Sequence, residues 1–454
     1  MSERKLFGTD GIRGKANIYP MTSEVATALG RAVTYYFQKK NQNNKTPLVI
    51  VGKDTRLSCY MLEQAFASGV CSQGGRVIFT GPLPTPGVAF VTKSMRADAG
   101  VMISASHNSF DDNGIKIFDA DGFKLPDEVE LILEDLILNP EKMPIKVGGE
   151  IGRAKRLEGV EGRYIVHVKT ALDDEYDLTG MRIVVDCANG ASYKVAPMVL
   201  SELGAEVFSL GVSPNGKNIN LNCGSLHPDM AKSEVLKLRA DLGICLDGDA
   251  DRVQIIDKNG TLIDGDKLIG IFAKLMLASG ELKKGDTVVG TVMSNIGLEI
   301  FLKSLGLKFH RTNVGDRYIM EYMQESNAKL GGEPSGHIIF FDYATTGDGT
   351  LGALKAVEAM KHFGKSMEEL SEEIELFPQV LKNITVKEKI AFENIKPLQD
   401  ALKASQEKLK DRGRIIIRYS GTEPLARVMV EADNIKMVNE ICNELVAIIK
   451  KEIG

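Results

Sequence analysis

The sequence predicts an α/β protein built from three similar mixed α/β domains and a smaller C-terminal α+β domain around a central cleft. The chain has 454 residues, which is more than one hydrophobic core supports. Short β-type runs alternate with helix-type segments, as in α/β folds. A weak internal repeat leads successive strands into polar loops. Three similar domains that face one cleft would explain this repeat.

The predicted strands are short, apolar and separated by glycine-containing turns. They span residues 48–52, 77–80, 101–103, 183–185, 244–246 and 288–292. The repeat sets residues 96–100 against residues 239–243, with a fainter third copy at 328–331. Each copy runs into a short strand and then into a polar loop. Because open α/β sheets place ligands at the carboxyl ends of strands, we expect these loops to form one site.

Three regions are candidate domain boundaries: a charged stretch at 155–179, a turn at 258–260, and residues 372–389, where the chemical motifs pause. We therefore expect domains at residues 1–160, 161–260, 261–372 and 373–454.

Composition excludes several classes of protein. A net charge of −5 disfavours a general nucleic-acid binder. The six cysteines form no C-x-x-C pair, which disfavours a disulfide framework or a thiolate zinc site. The chain has neither an apolar signal core at its start nor a membrane-length apolar run. We expect a cytoplasmic protein with no membrane or nucleic-acid partner.

Two polar loops suggest phosphoryl chemistry. Residues 104–116 combine serines, a histidine, acids and a lysine, without the spacing of a known acyl-transfer motif. Asp247, Asp249 and Asp251 alternate, so that in an extended conformation they share one face and suit a hard cation. The positions that follow do not fit an EF-hand. Each loop alone is also compatible with an ordinary turn.

Three further motifs offer binding groups. Residues 332–337 carry a carboxylate, a hydroxyl and an imidazole, which suit the hydroxyls of a sugar. Residues 418–424, with Arg427, combine guanidinium groups, hydroxyls and a glycine, which suit phosphate. Residues 7–14 place Arg13 among three glycines. A structural loop with exposed charges is the alternative for each.

These five motifs, in this order, resemble the α-D-phosphohexomutase superfamily over nearly the whole chain. Further matching segments are residues 218–228, 314–318 and 345–349. The resemblance implies that the four domains bear, in order, the phosphoserine, the metal site, the sugar-recognition loop and a phosphate-binding loop. It implies that Ser106, rather than Ser104, is phosphorylated.

The resemblance also assigns the remaining site residues. Catalytic residues would be Ser106, His107, Lys116, Arg13 and Arg252. One Mg²⁺ per subunit would be bound by Ser106, Asp247, Asp249 and Asp251. The substrate would be bound by Glu333, Ser335, His337, Arg418, Ser420, Gly421, Thr422 and Arg427.

The implied reaction interconverts glucosamine 6-phosphate and glucosamine 1-phosphate through a glucosamine 1,6-bisphosphate intermediate, and its product would feed amino-sugar nucleotide synthesis for cell-wall precursors. Lys116 is the candidate general acid or base and would need a depressed pKa. A mobile last domain and a homodimer are further expectations.

Three departures from the superfamily pattern remove no reacting group. Ser109 stands where proline is usual, Ala250 where glycine is frequent, and Tyr419 where proline is common. We expect Ser109 and Tyr419 to loosen the local backbone, and Pro334 leaves the preferred sugar open.

Three alternative functions are left. Glucose or mannose phosphate would need the same machinery. A phosphosugar kinase would need a nucleotide site, but Gly364-Lys365-Ser366 is preceded by Ala359 where a P-loop requires glycine. A non-catalytic sugar-phosphate-binding protein would be expected to lack Ser106, Lys116 or one of the aspartates.

Overall fold

The computed structural model describes residues 5–8, 10–41, 45–419 and 424–454. Its strands form four sheets that follow one another along the chain. We refer to each sheet with its helices as a unit.

The first unit contains a seven-stranded sheet of order β1-β2-β6-β5-β3-β4-β7. Its strands are β1 (Phe7–Gly8), β2 (Gly11–Lys15), β3 (Leu48–Lys53), β4 (Arg76–Pro82), β5 (Ala99–Ile103), β6 (Asp112–Phe118) and β7 (Arg153–Arg156). Its helices are α1 (Ser23–Lys40), α2 (Leu57–Ser72), α3 (Thr85–Ser94) and α4 (Asp127–Leu138).

The second unit contains a five-stranded sheet of order β12-β11-β10-β8-β9. It comprises α5 (Val160–Lys169), β8 (Arg182–Asp186), α6 (Val195–Glu202), β9 (Glu206–Leu210), α7 (Asp229–Leu238), β10 (Leu242–Leu246), β11 (Val253–Asp257) and β12 (Leu262–Ile263). The charged stretch at 155–179 therefore carries a helix. The turn at 258–260 is a hairpin that joins β11 to β12 within this sheet.

The third unit contains a four-stranded sheet of order β14-β13-β15-β16. It comprises α8 (Gly265–Ala278), β13 (Thr287–Thr291), α9 (Ile296–Ser304), β14 (Lys308–Thr312), α10 (Asp316–Ser326), β15 (Leu330–Gly332), β16 (Ile338–Phe340), α11 (Gly349–Phe363) and α12 (Met367–Glu372).

The C-terminal unit contains an antiparallel three-stranded sheet of order β17-β19-β18. It comprises β17 (Gln379–Thr385), α13 (Lys396–Leu409), β18 (Gly413–Tyr419), β19 (Leu425–Ala432) and α14 (Ile435–Ile453). The predicted α/β architecture, with three similar units and a smaller α+β unit, is confirmed.

The internal repeat corresponds to a repeated strand arrangement. In the first three units, β5, β10 and β15 each pair in parallel with β3, β8 and β13, and antiparallel with β6, β11 and β16. Arg96, Arg239 and Asn327 all have a positive φ, which ends the preceding helix in a left-handed residue. Every strand predicted from the sequence is present.

The hydrophobic core of the C-terminal unit is separate from that of the other three units. One cluster of buried side chains runs continuously from Ile50 in the first unit to Ile374 at the end of the third. The C-terminal unit has a cluster of its own, which includes Ile384 and Leu445. In α14 the buried residues recur at three- and four-residue intervals, so one face of this helix covers that cluster. Within the described residues, we find no helix whose length and apolar character would let it span a membrane.

Candidate active site

Loops of the first three units meet around a cavity of about 230 Å³. The loops that end β5 and β10, and the loop between β15 and β16, bring polar side chains to this cavity. Six residues selected from the sequence are among those that line it: Arg13, Ser106, Asp251, Arg252, Glu333 and His337. The cavity thus lies at the carboxyl ends of equivalent strands, as the repeat predicted.

Residues 104–112, which we call the serine loop, follow β5. Ser106 is buried, with an exposed fraction of 2%, and has a φ of 52°. Its hydroxyl donates a hydrogen bond to Oδ2 of Asp247 at 2.6 Å. Nδ1 of His107 lies 3.3 Å from the same hydroxyl. The loop therefore brings one serine oxygen directly against the aspartates of the second unit.

Ser104 makes different contacts. Its hydroxyl donates to Oδ2 of Asp54 at 2.7 Å and accepts the backbone N–H of Ser106 at 2.9 Å. Ser104 is fully buried. Its hydroxyl is thus engaged beneath the loop, whereas Ser106 reaches the cavity.

Asp247, Asp249 and Asp251 follow β10 and are buried, and each offers a carboxylate oxygen within 4.8 Å of the other two. The sequence pattern was interpreted for an extended loop, but the loop is not extended in the structure. Ala250 has a φ of 56° and donates its N–H to the carbonyl of Asp247, so a turn makes the carboxylates converge. We call residues 247–251 the aspartate loop.

Two carboxylate oxygens of the aspartate loop indicate whether this loop could bind a cation. Oδ1 of Asp249 and Oδ1 of Asp251 are buried and accept no hydrogen bond from the described residues. Leaving such oxygens unpaired is costly unless another group satisfies them. Clustered carboxylate oxygens are what Mg²⁺ binds. The three aspartates, with the hydroxyl of Ser106 on Asp247, therefore fit a magnesium ion.

Burial and neighbouring charges shift the pKa values of Asp247 and Asp251 in opposite directions. Burial raises the pKa of Asp247 well above its ordinary value, and the charges of Asp251 and Asp249 add to this effect. Burial also raises the pKa of Asp251, but the positive charges of Lys116 and Arg252 help to outweigh it and hold the pKa well below the usual range. The loop thus combines a carboxyl that resists ionisation with one that favours it.

Lys116, on β6, lies beneath the aspartate loop and is buried. Its Nζ donates to Oδ2 of Asp249 at 2.9 Å and to Oδ2 of Asp251 at 3.2 Å, and it lies 3.4 Å from Oδ2 of Asp10. Burial lowers the pKa of Lys116, but the charges of Asp10, Asp249 and Asp251 together raise it well above its ordinary value. The depressed pKa expected from the sequence is wrong for this arrangement, because three carboxylates face one ammonium.

Two arginines face the cavity from different units. Arg13, on β2, forms an ion pair with Asp10. Arg252 ends the aspartate loop, where its backbone N–H donates to Oδ1 of Asp247 at 3.2 Å. The Nε of each arginine is buried without a hydrogen-bond partner among the described residues. Both guanidinium groups are thus suited to an anionic ligand.

His107 lies close to these arginines. Burial lowers its pKa to about 4, and the charges of Arg252 and Arg13 contribute to this shift. In this environment the imidazole is neutral near pH 7, with Nδ1 beside the hydroxyl of Ser106.

The loop predicted to bind the sugar, residues 332–337, connects β15 to β16. Oε1 of Glu333 accepts the N–H of Gly315 at 3.1 Å, and Oε2 of Glu333 accepts the hydroxyl of Ser335 at 3.4 Å. His337 is buried, and its Nε2 accepts the N–H of Gly347 at 3.0 Å. Its Nδ1 lies 3.7 Å from Oδ1 of Asp251. The loop therefore holds Glu333 at the cavity and ties His337 to the aspartate loop.

Arg418 and Arg427, from the motif predicted to bind phosphate, do not line this cavity. Arg418 on β18 is the direct cross-strand partner of Arg427 on β19. Burial lowers the pKa of Arg418, and the charge of Arg427 lowers it further. The other predicted members of the motif, Ser420, Gly421 and Thr422, lie outside the described residues.

Tyr419 anchors the strand that leads to this motif. Its hydroxyl donates to the carbonyl of Ile390 at 2.5 Å, and its ring stacks on Phe392 with 4.2 Å between the centroids. Both the ring and the hydroxyl of Tyr419 are thus held, and a looser backbone at this position stays a prediction.

Models of one protein family match most of the chain. Phosphoglucomutase/phosphomannomutase α/β/α domains I, II and III match residues 4–143, 162–260 and 264–377, and the C-terminal domain of the same family matches residues 381–448. Curated relatives are similar over full length. The phosphoglucosamine mutase of Geobacter metallireducens is 52% identical over 452 residues, and that of Desulfotalea psychrophila is 50% identical over 449 residues, with 99% of each chain covered.

The chain belongs to the phosphoglucosamine mutase family. Solved structures share its fold. A phosphoglucomutase/phosphomannomutase family protein of Burkholderia thailandensis has a TM-score of 0.81 at 23% identity, covering 98% of this chain and 97% of that chain. The N-acetylphosphoglucosamine mutase of Aspergillus fumigatus, solved in complex with GlcNAc-6P and magnesium, has a TM-score of 0.69 at 18% identity, covering 99% of this chain and 96% of that chain.

A cluster of charges at the rim of the cavity was not predicted from the sequence. Lys124, in the first unit, forms ion pairs with Asp10 of the same unit and with Asp316 at the start of α10. Burial raises the pKa of Asp10, but the charges of Lys116, Lys124 and Arg13 hold it well below its usual range. Asp10 stood within a selected motif, whereas Lys124 lies alone in a turn-like segment.

A second group that was missed supports the serine loop from behind. Arg56 and Asp54 follow β3 and are fully buried as an ion pair, with Nε of Arg56 2.8 Å from Oδ2 of Asp54. The signal was available, because an Asp and an Arg at the carboxyl end of a predicted strand resemble the other loops of the site.

Proposed function

We propose that the enzyme interconverts glucosamine 6-phosphate and glucosamine 1-phosphate, with Ser106 as the phosphoryl carrier. The observation that carries this proposal is the hydroxyl of Ser106, which meets Asp247 at 2.6 Å beside a cavity that Arg13 and Arg252 line. Phosphoryl transfer needs positioning and charge stabilisation above all, and these groups offer both. The full-length likeness to phosphoglucosamine mutases supports the choice of substrate.

The reaction begins with phosphorylated Ser106. O1 of glucosamine 6-phosphate attacks the phosphorus, the O1–P bond forms, the bond from phosphorus to Oγ breaks, and the proton of O1 passes to a base. The resulting glucosamine 1,6-bisphosphate reorients in the cavity, so that its 6-phosphoryl group faces Oγ. Oγ then attacks the phosphorus of the 6-phosphoryl group, the Oγ–P bond forms, the O6–P bond breaks, and O6 takes up a proton as glucosamine 1-phosphate leaves. The phosphorylated enzyme is thereby restored.

The residues of the cavity divide this work. Arg13 and Arg252 neutralise the transferring phosphoryl group. Asp247, Asp249 and Asp251, with the serine oxygen, would hold one Mg²⁺ per subunit. When bound, the ion supplies positive charge at the phosphoryl oxygens.

Lys116 and His107 are the proposed groups for proton transfer. Lys116 carries a proton on Nζ within the aspartate loop, and His107 places Nδ1 3.3 Å from the serine hydroxyl. The raised pKa of Lys116 makes it a proton donor rather than a base, whereas the neutral imidazole of His107 can accept a proton at Nδ1.

Substrate binding requires groups at both ends of the sugar phosphate. Glu333, Ser335 and His337 would bind the sugar hydroxyls. Arg418, Ser420, Gly421, Thr422 and Arg427 would bind the phosphate that does not react. Because the arginine pair does not line the cavity in this structure, we propose that the C-terminal unit closes over the substrate.

Replacement of Ser106 tests the function. Ser106→Ala is expected to abolish turnover of glucosamine 6-phosphate, whereas Ser94→Ala, an exposed serine at the end of α3, keeps the wild-type rate. Intact-mass analysis should show one phosphate adduct on the wild type and none on Ser106→Ala. A Ser106→Ala enzyme with wild-type turnover would rule the mechanism out.

A substrate panel tests the sugar. Pre-phosphorylated enzyme should convert glucosamine 6-phosphate faster than glucose or mannose 6-phosphate. Faster conversion of mannose 6-phosphate would replace the substrate while keeping the mechanism. A cytoplasmic location, a homodimer, and a product that enters amino-sugar nucleotide synthesis belong to the same proposal.

A further inference from the structure

The backbone carbonyl groups of the serine loop are turned toward one buried guanidinium group. Nη2 of Arg56 donates to the carbonyl oxygens of Ser106 and Asn108, each at 2.9 Å. Nη1 of Arg56 donates to the carbonyl oxygens of Ser109 and Asp112. One fully buried side chain therefore satisfies four acceptors of the loop that carries Ser106.

The guanidinium group is itself fixed in place. Asp54 accepts hydrogen bonds from the backbone N–H and from Nε of Arg56, at 2.9 and 2.8 Å. The same carboxylate accepts the hydroxyl of Ser104 at 2.7 Å. A buried pair of this kind contributes defined geometry, because the planar guanidinium group has one orientation for all its donors.

A residue of the second unit donates to the same carbonyl groups. Nδ2 of Asn220 lies 2.9 Å from the carbonyl oxygens of both Ser106 and Asn108. Gly248 of the aspartate loop also approaches closely, since a Cβ atom there would lie 2.5 Å from the carbonyl oxygen of Ser106. Two units thus close on the backbone of the serine loop.

Ser106 needs this support for two reasons. Its φ of 52° is disfavoured for a residue with a Cβ atom and persists only where the surroundings hold it. A phosphoryl group on its hydroxyl is an anion, which carbonyl oxygens repel. Hydrogen bonds to Arg56 and Asn220 turn the carbonyl oxygens of the loop away from that anion.

We propose that Arg56 and Asn220 are positioning residues for phosphoryl transfer. They hold Ser106 in its left-handed conformation, with its hydroxyl aimed at Asp247, and they keep the loop carbonyls away from the phosphoryl group. Neither residue touches a reacting atom. This inference rests on the proposed function, in which Ser106 carries the phosphoryl group.

Asn220→Asp tests the inference with little disturbance of the backbone. Asn220 has a φ of 57°, and aspartate tolerates this conformation much as asparagine does. The substitution removes the donor and sets a carboxylate against two carbonyl oxygens. We expect Tm to fall because the carboxylate repels these carbonyl oxygens. Measured well below that Tm, kcat for glucosamine 6-phosphate should fall about 10- to 100-fold, with KM little changed.

Asn222→Asp is the matched control. Asn222 lies in the same loop, has a φ of 53° and is exposed. It should keep the wild-type kcat. Wild-type kcat in Asn220→Asp, an equal loss of kcat in both variants, or a change in KM alone would each overturn the role of Asn220.

Arg56→Lys tests the second positioning residue. Lysine keeps the charge but lacks the planar fork that reaches four carbonyl groups. A larger loss of kcat than in Asn220→Asp is expected, and an Arg56→Lys enzyme with wild-type kcat would remove Arg56 from the proposal. Turnover in Ser106→Ala would instead contradict the proposed function, so the two failures are distinguishable.

Discussion

At the scale of single residues, buried charges are organised around a few shared carboxylates. Asp10 faces Arg13, Lys116 and Lys124, and Lys124 also pairs with Asp316 in the third unit. The side chain of Lys124 has an exposed fraction of 12%. It therefore neutralises two carboxylates that belong to different units and that would otherwise repel each other.

Lys124→Met tests how much the ion pairs of Lys124 with Asp10 and Asp316 contribute to catalysis. Methionine keeps much of the volume but leaves Asp10 and Asp316 without the shared cation. Because Asp10 also holds Arg13, we expect kcat/KM for glucosamine 6-phosphate to fall at least about 10-fold. Steady-state kinetics measure the effect.

Lys142→Met is the control for that substitution. Lys142 forms an ion pair with Asp135, but about half of each side chain is exposed. Exposed pairs contribute little, so this variant should match the wild type. If Lys124→Met were as active as Lys142→Met, the shared cation would have no part in catalysis.

At the scale of elements, helix α8 begins with a buried acid. Oδ2 of Asp266 accepts the N–H of Asn295 at 2.6 Å, while its Oδ1 has no hydrogen-bond partner within the described part of the chain. Burial raises the pKa of Asp266 to about 7. This shift links the stability of the third unit to pH.

The sign of the linkage follows from the direction of the shift. The folded pKa of about 7 lies above the unfolded value of about 4, so the folded protein binds this proton more tightly. The stabilising contribution is fully present below about pH 4 and is lost as the pH rises through about 7. Asp266→Asn should remove it.

Urea unfolding at pH 5 and pH 8 measures this contribution. The free energy of unfolding of the wild type, relative to Asp266→Asn, should fall by about 3 kcal/mol between these pH values. Asp229→Asn, at an exposed site, should follow the wild type. A parallel pH dependence in Asp266→Asn would show that this carboxyl does not titrate in the range.

The elements were also the part of the structure most readily predicted. The apolar runs at 48–52 and 244–246 became β3 and β10 because strand patterns are local. The shape of the aspartate loop was not predicted. Its carboxylates converge through a left-handed Ala250, a conformation that alternation of residues does not indicate.

At the scale of the whole molecule, the C-terminal unit is attached through polar contacts. Glu431 is fully buried, and its Oε1 accepts the N–H of Ile296 at 2.9 Å. Arg414 pairs with Glu431 and donates to the carbonyl of Val292 at 2.8 Å. Because the unit has a separate hydrophobic core, these contacts influence its position relative to the third unit.

Glu431→Gln should loosen this attachment. Glutamine keeps an acceptor for the N–H of Ile296 but leaves the buried charge of Arg414 with less compensation. We expect a loss of about 1–3 kcal/mol in the free energy of unfolding and a changed KM for glucosamine 6-phosphate. Thermal unfolding and kinetics measure the two effects. Glu444→Gln, exposed on α14, should change neither, and equal behaviour of the two variants would contradict the prediction.

The sequence by itself determined the architecture, the order of the motifs and the family, because these depend on local patterns and on residue identity. Only the tertiary structure decided which groups share a charge or a hydrogen bond. Lys124 meets Asp316 across 192 positions, and Asn220 meets Ser106 across 114. The raised pKa of Lys116 has the same origin, since electrostatic energy depends on distance in space and on burial, which separation along the chain does not reveal.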